Sequence, residues 1–155
     1  MFGTVWDIVH IDESCRRSVS FTKEDNHRLQ VIQNKFLRLK TGLPKDTPTK
    51  DLVKASEDLS IQQLTAYTSL VLAQKSIFNQ EPAYLAAKFL RNLRRSNKLI
   101  LPNYRLSLSR DGFFYRSCAL FNNLPADLQF DVPPKEFKSK VKLWIRENVP
   151  VRPTN

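Results

Sequence analysis

The chain has 155 residues, 41% of them apolar and 26% charged, with 25 Lys and Arg against 15 Asp and Glu for a net charge of +10. This is ordinary globular composition, and the length predicts one domain that buries roughly 70% of its unfolded surface. Cys15 and Cys118, far apart, make no disulfide framework and point to a reducing compartment.

The charge is uneven. Residues 1–87 hold 11 basic and 10 acidic side chains, whereas residues 88–155 hold 14 and 5. An excess of that size favours a polyanionic partner, nucleic acid or an anionic membrane face. No apolar run approaches the ~20 residues of a membrane span. The opening "MFGTVWDIVHIDESC" meets acids before any apolar stretch of a secretory signal forms, so none is expected.

Residues 2–11, rich in β-branched and aromatic side chains, predict a short extended segment, followed by a polar loop. Thr22 with Asp25 resembles a capping box, and opens a helix on which Leu29, Ile32, Phe36 and Leu39 recur at helical spacing. That row is expected to face inward, with Lys35 and Arg38 outward as candidate nucleic-acid contacts. Gly42 suits the position after the helix, and Pro44 prevents continuation. A short helix follows Pro48. Ser60 caps the next, "IQQLTAYTSLVLAQKSIF", in which Lys75 is the one charge, so it is expected to be central and buried on most sides. Pro82 opens "AYLAAKFLRNLRR", a helix predicted to form an αα-hairpin with its predecessor. Residues 98–109 alternate apolar and polar and predict a small β-hairpin or a covering loop. Gly112 to Asn123 and "KEFKSKVKLWIREN" are helical by pattern. The expected fold is mainly α, with about five to six helices in one domain. Residues 1–21 form the extended segment and loop, 22–97 a helical part and 98–155 a basic part.

Chemistry-bearing patterns are scarce. His10, Cys15 and His27 lack the paired short spacings of a zinc site. With only three Gly, the chain holds no nucleophile elbow, phosphate loop or dinucleotide fingerprint. Cys118 sits in an apolar helix, where a thiol is inert packing. The acids, Asp127 among them, are scattered over helix starts and turns and do not converge as a two-metal site requires. No catalytic residue, cofactor or metal is assigned.

The basic residues do cluster. Arg91, Arg94, Arg95 and Lys98 are followed by Arg105, Arg110 and Arg116. Helix dipoles explain Arg94 and Arg95 without a ligand; for the whole set, phosphate contact is favoured over a solvated charged face. In "GFFYRSCALFNNLP", Phe114, Cys118 and Phe121 make one apolar row and Phe113, Ser117, Leu120 and Leu124 another, so core packing outweighs base stacking. Arg116 beside them is either a tether to loop carbonyls or a phosphate contact. In the last helix, Phe137, Val141, Trp144 and Ile145 are expected to face the domain. Lys135, Lys138, Lys142 and Arg146 form a stripe beside that face with the lone acid Glu136, and are expected to meet phosphates rather than to be only a solvated charged face.

Three segments together resemble the region after the polymerase palm in reverse transcriptases of non-LTR (LINE-type) retrotransposons. Phe113, Arg116, Asn122, Leu124 and Pro125 match S-F-x-x-R-x-x-x-x-W-N-x-L-P, with Phe121 in place of Trp and Gly112 in place of Ser. Phe137, Lys138, Lys142 and Trp144 match the F-K-x-x-L-K-x-[WY]-L that follows. Leu29, Gln30, Gln33, Asn34, Lys35, Arg38, Thr41 and Gly42 match L-Q-x-x-Q-N-K-x-x-R-x-x-T-G, and "FGTVW" is similar to the preceding Y-G-x-x-x-W. The resemblance implies thumb-like helices and a C-terminal extension, without the paired catalytic Asp of the palm. It implies a non-catalytic fragment that holds template RNA, primer DNA or their hybrid and docks on the upstream palm, in the nucleus or a cytoplasmic ribonucleoprotein. A structural remnant or a protein-interaction module is the alternative. A basic membrane-surface module ranks third, because no helix pairs a basic face with a large exposed apolar one.

Overall fold

The computed structural model describes residues 23–92, 98–103, 105, 112–130 and 132–151. The expected extended segment at 2–11, the Thr22 cap, Arg94, Arg95, Arg110 and most of 104–111 lie outside the described residues. The rest is mainly helical: α1 (Lys23–Thr41), α2 (Thr49–Ser56), α3 (Ile61–Asn79), α4 (Ala83–Ala86), strands β1 (Arg91–Asn92) and β2 (Lys98–Leu99), α5 (Phe113–Asn122), a 3-10 turn (Ala126–Leu128) and α6 (Pro134–Asn148).

Helix α3 is the centre. It packs against α1, α4, α5 and α6. Its nearly charge-free sequence explains why: Ala66, Ser69, Leu70, Ala73, Gln74 and Ser76 are all buried, and small side chains let neighbouring helices approach closely. The main core joins Leu70 and Ala73 of α3 to Leu85, Phe89, Leu99, Cys118, Phe121, Phe137, Val141 and Ile145. A second cluster, Leu37, Leu52 and Val53, lies between α1 and α2, with Leu43 and Val151 against it.

The ends of these helices follow their local chemistry. The amide of Gly42, at φ +70°, donates to the Arg38 carbonyl at 2.8 Å and ends α1. Ser60 begins α3 with a reciprocal capping box: its Oγ accepts from the Gln63 amide at 3.3 Å, and Gln63 Oε1 accepts from the Ser60 amide at 3.1 Å. Two donors that α3 would otherwise leave open are satisfied in this way.

The face of α1 is reversed from the sequence expectation. Ile32, Phe36 and Leu39 are 63%, 50% and 85% exposed. The inward row is Gln30, Gln33, Asn34 and Leu37, at the same helical spacing one step around. Gln33 Nε2 donates to the Leu59 carbonyl at 2.7 Å. The Ile61 amide, an orphan donor in the first turn of α3, donates to Gln30 Oε1 at 3.0 Å. Asn34 Nδ2 donates to Thr49 Oγ1 at 2.8 Å, and Gln30 Nε2 donates to Gln33 Oε1 at 2.8 Å and Asn34 Oδ1 at 3.0 Å. The amides face inward because the backbone entering α3 needs partners there, and an unsatisfied buried polar group costs ~1–3 kcal/mol.

The second difference lies after α3. The helix from Pro82 lasts one turn, to Ala86, and no αα-hairpin forms. The chain turns instead into β1, which pairs antiparallel with β2 in the register Arg91 to Leu99 and Asn92 to Lys98. The small sheet therefore begins upstream of 98–109. Packing overrides helix propensity at this point. Phe89 meets the Phe114 ring at 4.8 Å between centroids, and Arg91 lies over the Phe130 ring at 3.8 Å. A continued helix would forfeit the pairing of Arg91 with Leu99.

Asn122 completes this region. Its Oδ1 accepts from the Leu99 amide at 2.8 Å, and its Nδ2 donates to the Leu99 carbonyl at 2.9 Å. The side chain thus imitates a neighbouring strand. Phe121 beside it is fully buried, and Leu124 closes the same core.

Two stability measurements check these assignments. Phe121→Ala should cost ~3–5 kcal/mol in urea unfolding, as fully buried Phe truncations do, and half-buried Phe113→Ala should cost clearly less. Gln33→Leu, the more hydrophobic side chain, should nonetheless cost ~1–3 kcal/mol by stranding the Leu59 carbonyl, whereas a Gln33→Leu chain as stable as the parent would remove the network from the account.

Candidate nucleic-acid interface

Helix α6 carries the densest group of predicted cations. Pro133 precedes it and Pro134 fills its first turn, where a missing N–H is harmless. Phe137, Val141 and Ile145 are fully buried against α3, with Trp144 half-buried beside them. Both ends are tied to α3 by buried glutamines. Gln74 Nε2 donates to the Val132 carbonyl at 2.7 Å, just before the helix. Gln63 Nε2 donates to the Val149 carbonyl at 2.8 Å, just after it. The rotation of α6 about its axis is therefore fixed at three levels.

That rotation places Lys135, Lys138, Lys142 and Arg146 on the exposed side. They span about 16 Å of helix at 1.5 Å per residue. Glu136 forms an ion pair with Lys140 at 2.5 Å, and by helical spacing Glu147 falls on the same line as Glu136, away from the stripe. The acids of α6 are thus segregated from its four aligned cations.

The other predicted site residues are not gathered with these four. Lys35 is exposed on α1, which packs on α2 and α3 and not on α6. Arg38 is half-buried and makes a long hydrogen bond, 3.5 Å, to the Thr47 carbonyl. It braces the α1–α2 loop, which corrects the expectation that it points outward. Arg91 is exposed, but its guanidinium lies on Phe130, which meets Phe121 edge-on at 5.2 Å between centroids. It stands at the rim of a cleft of about 360 Å³ lined also by Ile77, Phe78, Phe89 and Leu99, a feature with no periodic signature in the sequence. Lys98 and Arg105 are exposed. Arg116 is exposed on α5 and makes an interaction within the chain.

The segments that carry the family resemblance are largely structural. Gln30, Gln33 and Asn34 build the network beneath α1, Thr41 Oγ1 donates to the Leu37 carbonyl at 2.8 Å, Gly42 ends the helix, and Asn122 pins β2. The tethering amides Gln63 and Gln74 carry no chemistry-bearing motif in the sequence. The signal for Gln63 is an amide at N3 behind a capping Ser; Gln74 carries no local signal.

Among the described residues, no group of three or more His, Cys, Asp and Glu side chains is placed to hold a metal, and no helix is long and apolar enough to cross a membrane. His27 is exposed on α1. Burial pushes the Cys118 thiol up to about 11, so it is neutral and unreactive near neutral pH. No protein-family model, curated protein or solved structure matches the chain.

Cys118 offers a direct check on the packing around α5. Its thiolate becomes populated only as pH rises from about 9 toward about 11, and that ionisation disfavours the fold in the same window. Iodoacetamide at about pH 8 should leave Cys118 unmodified in the native chain and label it fully in denaturant, since reactivity follows thiolate content and access. Rapid native labelling of the Cys118 peptide would contradict its burial.

Proposed function

We propose that the chain is a non-catalytic nucleic-acid-binding module, resembling the post-palm region of LINE-type reverse transcriptases, that grips template RNA, primer DNA or their hybrid through phosphates. One observation carries this reading: Lys135, Lys138, Lys142 and Arg146 form an exposed stripe on a helix whose rotation is fixed by Phe137, Val141 and Ile145 and by two glutamine tethers. A row of cations held at fixed spacing on one side of a rigid helix suits a regularly charged polyanion better than an isolated anion. Lys98 and Arg105 extend the basic character of this half of the chain. The resemblance adds a polymerase palm as the neighbouring partner and an intracellular ribonucleoprotein as the setting.

Such contacts carry no base information. Binding should therefore be similar for unrelated sequences and steeply dependent on salt. If all four cations meet duplex phosphates, they contribute a log K against log salt slope of roughly −3.6, at about −0.9 per charge. The test compares labelled RNA, DNA and hybrid duplexes of two sequences each, with the parent chain and with Lys138→Glu/Lys142→Glu. The double variant should bind all of them more weakly, with a slope shallower by about 1.8, and should unfold with the parent, because exposed charges contribute little to stability. Slopes unchanged by the substitutions would assign the stripe to solvent, and absence of binding to every duplex would leave the structural remnant or protein-interaction module as the reading.

A further inference from the structure

The outward row of α1 has the geometry of a helix-pairing seam. Leu29, Ile32, Phe36 and Leu39 are spaced 3, 4 and 3 residues apart, the alternation of a heptad's two core positions over one and a half heptads. Ile32, Phe36 and Leu39 are at least half exposed. The helix is anchored on its other side by the Gln30, Gln33 and Asn34 network and by Leu37, so the seam is held rigidly outward. A row of large apolar side chains held outward is a feature of contact surfaces.

We infer that this seam pairs with a helix of a protein partner whose own apolar seam is flanked by Asp and Glu. The charge of α1 selects that chemistry. From Arg28 onward the helix carries Arg28, Lys35, Arg38 and Lys40 and no acid. Lys35 and Arg28 lie along one edge of the seam and Lys40 along the other, where heptad flanking charges set partner choice. Glu24 engages Arg28 at 3.2 Å and Asp58 engages Lys40 at 2.8 Å, so Lys35 is the cation an opposing acid meets most directly. The same pattern disfavours a second copy of this chain. A parallel pair would set Lys35 against Lys40, and an antiparallel pair would set Lys35 against Lys35 or Arg28. The surface lies on a helix that does not touch α6, so this inference stands independently of phosphate binding there.

The test uses the full chain and two synthetic peptides of three heptads, both with Leu and Ile at the core positions, one flanked by Glu and the other by Lys. Fluorescence anisotropy should show saturable binding of the Glu-flanked peptide and binding at least about tenfold weaker for the Lys-flanked one, since like charges across an interface are costly. Ile32→Ser/Phe36→Ser should weaken the Glu-flanked peptide at least about tenfold, because it removes the apolar seam. Lys35→Glu should narrow or reverse the preference between the peptides. Lys138→Glu/Lys142→Glu should leave peptide binding unchanged. Failure of the Glu-flanked peptide to bind, or equal binding of the two peptides, overturns the inference. A lowered unfolding midpoint for Ile32→Ser/Phe36→Ser would also overturn it, showing that the seam is covered from within the chain. Dimerisation of the parent in sedimentation, lost in that variant, would assign the seam to a second copy instead.

Discussion

The junction from Leu59 to Gln63 is the constraint on which the rest of the structure depends. Helix α3 enters the interior almost without charge, and its first turn brings backbone groups that water cannot reach. Four side chains meet that demand. Ser60 and Gln63 cap each other's amides, Gln30 of α1 accepts from the Ile61 amide, and Gln33 of α1 donates to the Leu59 carbonyl. Each is worth about 1 kcal/mol when made and ~1–3 kcal/mol when one partner is removed. Together they fix where α3 starts and which side of α1 it meets.

From that start the other elements find their places. Gln63 is both the third residue of the cap and, through Nε2, the anchor of the chain beyond α6. Gln74, three turns further along α3, anchors the chain before α6. One helix thus holds its neighbour at both ends through amides while Leu70 and Ala73 share a core with Phe137, Val141 and Ile145. The direction of the Lys135–Arg146 stripe is a consequence of these contacts. A cation row on a helix free to rotate would average over its surroundings; here the buried face and two tethers define its outward side.

Much of this was legible in the sequence. The end of α1 at Gly42, the short helix after Pro48, the Ser60 cap, the burial of α3, the core role of Phe121 and the inward face of α6 each followed from a local rule: a left-handed turn, a capping pair, a lack of charge, a helical row. The face of α1 did not, because hydrophobicity ranked the wrong row first. Burying Ile32 or Leu39 would contribute ~1.5–3 kcal/mol each, about what leaving Leu59 or Ile61 unsatisfied would cost. Two rows of comparable worth lay side by side on one helix, and the decision belonged to backbone groups some 26 to 31 residues away. The early end of α4 is similar. "AYLAAKF" is a good helical sequence, and only Phe114, Phe130 and Leu99, distant in sequence, show why the chain leaves the helix at Ala87.

The reversal of α1 also changes the division of surfaces. Had Ile32, Phe36 and Leu39 faced inward, α1 would present a cationic outer side, with Lys35 and Arg38 on it. With the amides inward, Arg38 is drawn to Thr47 and Lys35 borders an apolar seam. The cations of α1 and those of α6 then have different surroundings. On α6 they stand together with the acids segregated, which suits a uniform polyanion. On α1 they edge a hydrophobic row, which suits a partner that supplies apolar side chains and opposite charge together. The net charge of +10 is therefore not one property with one cause. Part of it stands on α6 as a row apart from that helix's acids and part borders the apolar row of α1, and the buried amides of α1 and α3 set both directions.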